Sequence, residues 1–157
     1  MRGKRAEKRK VVNDPIYNSR LITRFMNRLM KAGKKTVAQR IVYGALDDIK
    51  EKKKDPLETF ETAVRNVAPK VEVRSRRVGG ASYQIPVEVK GDRREALAIR
   101  WLIGAASSRS NAEYKGMKAK LSVELMDAAS GTGAAIKKRN DTLRMAEANR
   151  AFANFRW

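Results

Sequence analysis

The sequence predicts a mainly α-helical protein: one domain over residues 1–157, with about six helices and a protruding two-stranded antiparallel β-hairpin between helices 3 and 4. Two observations carry this expectation. Apolar residues recur at three- and four-residue intervals along most of the chain, the period of an amphipathic helix. One stretch alone, Lys70 to Lys90, alternates with period two on both sides of Gly79-Gly80, a hairpin signature. An apolar content of 42% is enough to fill one core.

Residues 1–12 are a basic arm, with Arg2, Lys4, Arg5, Lys8, Arg9 and Lys10 against the single acid Glu7. Runs of this kind attach to nucleic acid, and a localisation signal is the alternative. Asn13-Asp14-Pro15 is turn chemistry. The first helix is expected from about Ser19 to Ala32, on the stripe Leu21, Ile22, Phe25, Met26, Leu29 and Met30, with Gly33 at its C-terminus. Its other face carries Arg20, Arg24, Arg28 and Lys31, either a solvated surface or a contact surface. The second helix, about Lys35 to Lys52, repeats the stripe from Val37 to Ile49. The third has an explicit start: Asp55 as N-cap, Pro56 at the first helical position and Glu58 at capping-box spacing. Pro69 ends it.

In the hairpin, Val71, Val73 and Ser75 share one face while Arg74 and Arg76 point to the other. Tyr83, Ile85, Val87 and Val89 share a face of the return strand. Strands of about nine residues make an arm of about 30 Å. Pro86 marks an edge strand. Asp92 and Glu95 then open a fourth helix with the Asp-x-x-Glu spacing. Its body, Ala96 to Ala106, is the most apolar and is expected at the centre. A polar break spans Ser107 to Tyr114, and a fifth helix covers about Met117 to Ala129. After Gly131-Thr132-Gly133, a last, highly charged helix is expected from Ala134 to about Phe155.

Charge narrows the function. Lys and Arg total 36 against 17 acids, a formal net charge of +19, with a pI near 10.7. Self-repulsion on that scale favours a polyanionic partner, and a clustered pI above about 9 is the footprint of a nucleic-acid binder. There is no Cys and no His, which removes disulfides, the usual zinc sites and any Ser-His-Asp or Cys-His nucleophile. No cofactor is expected. No apolar run of membrane-spanning length and no signal-peptide core occur, so a soluble cytoplasmic protein is expected.

Gly33-Lys34-Lys35-Thr36 lacks the first glycine of a phosphate loop, because position 28 is Arg28, and no strand precedes it. A basic interhelical turn near a helix N-terminus, where anions are favoured, is the better reading. Asp47 and Asp48 diverge on a helix and balance nearby lysines. Arg74, Arg76 and Arg77 form the sharpest positive cluster. Arginine's planar fork suits phosphate, and Gly79-Gly80 lets backbone approach a partner closely. The alternative is an arm whose arginines only suppress edge aggregation. Tyr83, Tyr114, Phe152, Phe155 and Trp157 are candidates for base stacking or packing. Composition leaves RNA and DNA both open, with an architectural DNA-binding protein and a carboxylate-lysine RNA enzyme as the rival classes.

The run Lys70-Val71-Glu72-Val73-Arg74-Ser75-Arg76-Arg77-Val78-Gly79-Gly80, followed by Tyr83 to Val89 and Arg93-Arg94, resembles the signature of the family of ribosomal protein seven of the small subunit. Ala98-Ile99-Arg100-Trp101, Leu125 to Ala129, Lys137-Lys138-Arg139 and Arg144 to Ala153 extend the likeness over nearly the whole chain. The bacterial-type form is the nearer in length. The resemblance implies a non-enzymatic constituent of the small ribosomal subunit. Such a protein binds ribosomal RNA directly and nucleates assembly of the subunit head. It lies near the decoding region, with its hairpin close to exit-site transfer RNA and messenger RNA, beside the ninth and eleventh small-subunit proteins. Carried onto this sequence, the RNA-binding residues are the amino-terminal basic residues, Lys34, Lys35, Arg74, Arg76, Arg77, Arg93 and Arg94, and Gly79, Gly80 and Tyr83 lie near the transfer RNA and message.

Overall fold

A computed structural model describes Gly3 and residues 10–155. The elements are helices α1 (Arg20–Leu29), α2 (Lys35–Glu51) and α3 (Pro56–Val67), strands β1 (Val71–Val78) and β2 (Ala81–Glu88), and helices α4 (Gly91–Ser108), α5 (Gly116–Ala129) and α6 (Ala134–Ala148). A short 3-10 turn, Arg150–Phe155, follows. The expected fold class and the place of the hairpin are borne out.

The apolar stripes of all six helices meet in one core. Phe25 and Phe60 are fully buried and pack edge to face, with ring centroids 5.3 Å apart. Burying each of the large side chains of this core, among them Leu46, Ile49, Leu102, Leu121 and Leu125, stabilises the fold by roughly 1.5–3 kcal/mol. The start of α3 is as the sequence foretells. Asp55 Oδ1 accepts the amides of Leu57 at 2.8 Å and Glu58 at 3.0 Å, and Pro56 occupies the first helical position.

Four expectations need correcting. Helix α1 stops at Leu29, because Met30 is extended and Ala32, then Gly33, turn through positive φ. Gly33 therefore belongs to the turn rather than to the helix cap. Asp92 and Glu95 form no capping box, and no side chain caps α4. Both carboxylates instead hold Arg24 of α1, a tertiary demand that overrides the local one.

The most enclosed helix is α5 rather than α4. It packs on α2, α3, α4 and α6, and no residue from Ala119 to Ala129 is exposed. The last helix ends at Ala148, seven residues before the expected Phe155. Asn149 caps the end: the Met145 carbonyl accepts both its backbone amide, at 3.2 Å, and its Nδ2, at 2.8 Å, and the chain tightens into a 3-10 turn from Arg150.

A buried carboxylate joins the last three helices. Glu124 on α5 is fully buried, and its Oε2 accepts Arg109 Nε at 2.8 Å. Its Oε1 accepts the Ala135 amide at 3.0 Å, so a side chain from α5 caps α6. Arg109 also binds Asp127 and lies over the Tyr114 ring, 5.6 Å from its centroid. Asn66 Nδ2 donates to the last carbonyls of α5, Ala128 and Ala129, at 3.0 Å each.

Candidate nucleic-acid interface

The arm closes through the tightest hairpin loop. Val78 pairs with Ala81, and Gly79 and Gly80 take φ of 58° and 90°, the left-handed pair that a type I′ turn requires. Both glycines are exposed. Register puts Arg74 opposite Ile85, Arg76 opposite Tyr83 and Glu72 opposite Val87. Arginines and apolar residues therefore share one face of the arm, since direct partners in an antiparallel pair project together. The arm does not stand alone. Strand β2 packs on the 3-10 turn and α6 touches both strands, with the Tyr83 and Phe152 rings 5.3 Å apart.

Glu72 organises the root. It is buried at 7% exposure and holds two arginines at once. Arg93 at the start of α4 donates Nε and Nη2 to it, and Arg74 donates Nε. Burial pushes the Glu72 pKa up, and the Arg93 and Arg74 guanidiniums more than reverse this, leaving it below the usual carboxylate range. Both arginines stay half exposed, at 50% and 47% for their side chains. Their forks are thus oriented from beneath and open to solvent above.

Of the other expected RNA contacts, Arg76 and Arg77 are exposed along the outer half of β1, and Lys34 and Lys35 lie exposed in the turn that opens α2. Lys10 is exposed, while Arg2, Lys4, Arg5, Lys8 and Arg9 lie outside the described residues. Arg94 is half buried, its Nε enclosed without a hydrogen-bond partner. The structure gathers Arg74 and Arg93 through one carboxylate but leaves Lys34 and Lys35 on another element. Tyr83 sits against Phe152 rather than at the tip. Of the remaining stacking candidates, Phe152 is taken up by that contact and Tyr114 by Arg109, and Trp157 lies outside the described residues.

On α1, Arg24 is absorbed by Asp92 and Glu95. Arg28 remains exposed and borders, with Arg100 of α4, a depression of about 290 Å³. Sequence reasoning did not assign Arg100 a contact, although its place on an exposed turn of an apolar helix was the available signal. Asp48 meets Lys118 Nζ at 2.7 Å, as the balancing role for this acid anticipates. Among the described residues no group of acids is placed to hold a metal ion, and no helix is long and apolar enough to cross a membrane.

A sequence model of the ribosomal protein S7p/S5e family matches residues 1–150. The chain belongs to that family. Its relatives in the S7p/S5e family align end to end. It is 59% identical over 157 residues to small ribosomal subunit protein uS7 of Xanthobacter autotrophicus, with 99% of each chain covered. It is 57% identical over 158 residues to that of Thermotoga neapolitana, with both chains fully covered. The protein of the same name from Pelotomaculum thermopropionicum is 58% identical over 151 residues, covering 96% of this chain and 95% of its own. An arm with basic residues along one strand, in a chain of this family, sets the terms for its function.

Proposed function

We propose that this protein is a structural, non-enzymatic constituent of the small ribosomal subunit in the cytoplasm. It binds small-subunit ribosomal RNA, nucleates assembly of the subunit head, and lies near the decoding region. Its hairpin faces exit-site transfer RNA and the message, and the ninth and eleventh small-subunit proteins are its neighbours. The helical body, hairpin and basic arm act as one domain.

The observation that carries this reading is the arm itself. Arg74, Arg76 and Arg77 lie exposed along one strand that ends in a two-glycine tip, and Arg93 joins them at the root. Family membership and the net charge of +19 are consistent with it. Affinity then comes from many Lys and Arg contacts to phosphate, each releasing counterions.

The test measures binding of a small-subunit ribosomal RNA fragment across a salt series. With about eight phosphates engaged, log affinity falls against log salt with a slope steeper than about −5. Replacing Arg74, Arg76 and Arg77 by Ala weakens binding and leaves the helical circular dichroism intact. A slope near −1, or a preference for duplex DNA at equal salt, overturns the reading.

A further inference from the structure

We propose that the depression between α4 and α6 is a second RNA contact, a subsite for one unstacked nucleotide. Trp101 is its stacking surface, and Arg100 and Lys138 hold the neighbouring phosphates. The inference rests on the RNA-binding reading above and adds a place where a base is held rather than only the backbone.

The depression encloses about 270 Å³, near the lower end of the roughly 300–1,000 Å³ of small-ligand sites. That suits one base better than a large cofactor. Trp101 lines it while packing partly on the core, which holds the indole without burying it. The floor is small: Gly104, Ala105 and Ala134. A Cβ built on Gly104 would meet nothing within 4 Å, so the space beside the indole is open. Arg100 and Lys138 are exposed, and neither makes an ion pair with a described residue. Among the described residues no acid lines the depression. An accessible ring face between two unneutralised cations is the arrangement that binds single-stranded nucleotides by stacking and charge. Arg100 also borders the depression that carries Arg28, so the cationic surface continues from α6 across α4 to α1.

Two tryptophans occur in the chain, and a Trp157→Phe background leaves Trp101 as the single tryptophan, excited selectively at the red edge where the tyrosines do not absorb. Single-stranded hexaadenylate, added at low salt to the full chain, is expected to quench its emission to a plateau. In that background Gly104→Leu fills the open space and replaces a helical glycine by a better helix former. It keeps the circular dichroism, loses the quench and binds hexaadenylate about 5- to 100-fold more weakly. Arg100→Gln and Lys138→Gln each make the salt slope shallower by about 0.7.

Hexaadenylate that binds, by anisotropy of a labelled oligomer, without changing Trp101 emission overturns the subsite. So does a folded Gly104→Leu protein of unchanged affinity. If Gly104→Leu fails to fold, the emission of the Trp157→Phe protein decides alone. Should the subsite fail while the ribosomal RNA fragment still binds with a steep salt slope, the proposed function stands. Loss of both defeats both.

Discussion

Arg93 grips Glu72 with both sides of its fork: Nε lies 2.9 and 3.0 Å from the two carboxylate oxygens, and Nη2 lies 2.7 Å from Oε2. The pair ties the first strand of the arm to the first turn of α4. Its stabilisation depends on an ionised Glu72, whose pKa is lowered in the fold. The contribution is therefore whole above the unfolded carboxylate value of about 4.3 and fades as pH falls through the lower folded value. Glu72→Gln is expected to cost roughly 1–2 kcal/mol at neutral pH, discounted for the half-exposed arginines. Urea unfolding at pH 7 and pH 3 should show the wild type losing more stability on acidification than Glu72→Gln. Equal losses would remove Glu72 from this role.

Glu124 is the more costly residue to alter. Glu124→Ala leaves the Arg109 guanidinium, itself only 17% exposed, with Asp127 as its remaining carboxylate, and leaves the Ala135 amide without its acceptor. Breaking a buried pair costs roughly 3–5 kcal/mol where the remaining charge is uncompensated, so with Asp127 still on Arg109 the low end of that range is expected. Glu124→Gln retains an acceptor for the amide and is expected to lose less. Equilibrium denaturation of the two variants separates the charge from the cap.

Asp14 is buried, and its carboxylate accepts the amides of Ile16 and Tyr17 and the Tyr43 hydroxyl, the last at 2.6 Å. Burial first, and then this hydrogen bond and the charge of Asp14, push the Tyr43 pKa up to about 12. The folded state thus holds this proton more tightly than the unfolded chain, where tyrosine ionises near about 10. The contribution is complete below the unfolded value and is lost as pH rises toward 12. Burial and nearby carboxylates raise Tyr17 as well, so phenolate absorbance should show more than one late-ionising tyrosine, of which Tyr43→Phe deletes the component near 12. A Tyr43→Phe protein with an unchanged titration curve would contradict this assignment.

Phe152 holds the return strand through Tyr83. Phe152→Ala is expected to cost about 0.5–1.5 kcal/mol beyond its lost burial. It should raise amide exchange in β2 while exchange in α5 stays slow. Uniform acceleration across both elements would mean that the contact supports the whole fold instead.

The sequence was most readable where one short segment decides its own structure. Gly79-Gly80 between alternating strands and Asp55-Pro56 before an apolar stripe each satisfied their backbone locally, and the structure keeps both. It was least readable where residues far apart compete for the same group. Asp92 and Glu95 have the spacing of a cap, yet Arg24, 68 residues from Asp92, takes them. Glu124 looks like an ordinary helical acid, and its service to Arg109 and Ala135 appears only once α5 and α6 are packed. The charge pattern gave the arm its expected chemistry, whereas the carboxylate that orients Arg74 and Arg93 emerged only with strand register. Arg100 and Trp101 were visible as residues of the family likeness, but the open space beside Gly104 is a property of two helices at once.

An apex of two glycines presents no side chain at all. Whatever meets the end of the arm touches bare peptide, a few hydrogen-bonding groups on a ribbon two strands wide. Such an apex fits a gap that any bulkier loop would jam, and it offers a neighbour only backbone donors and acceptors.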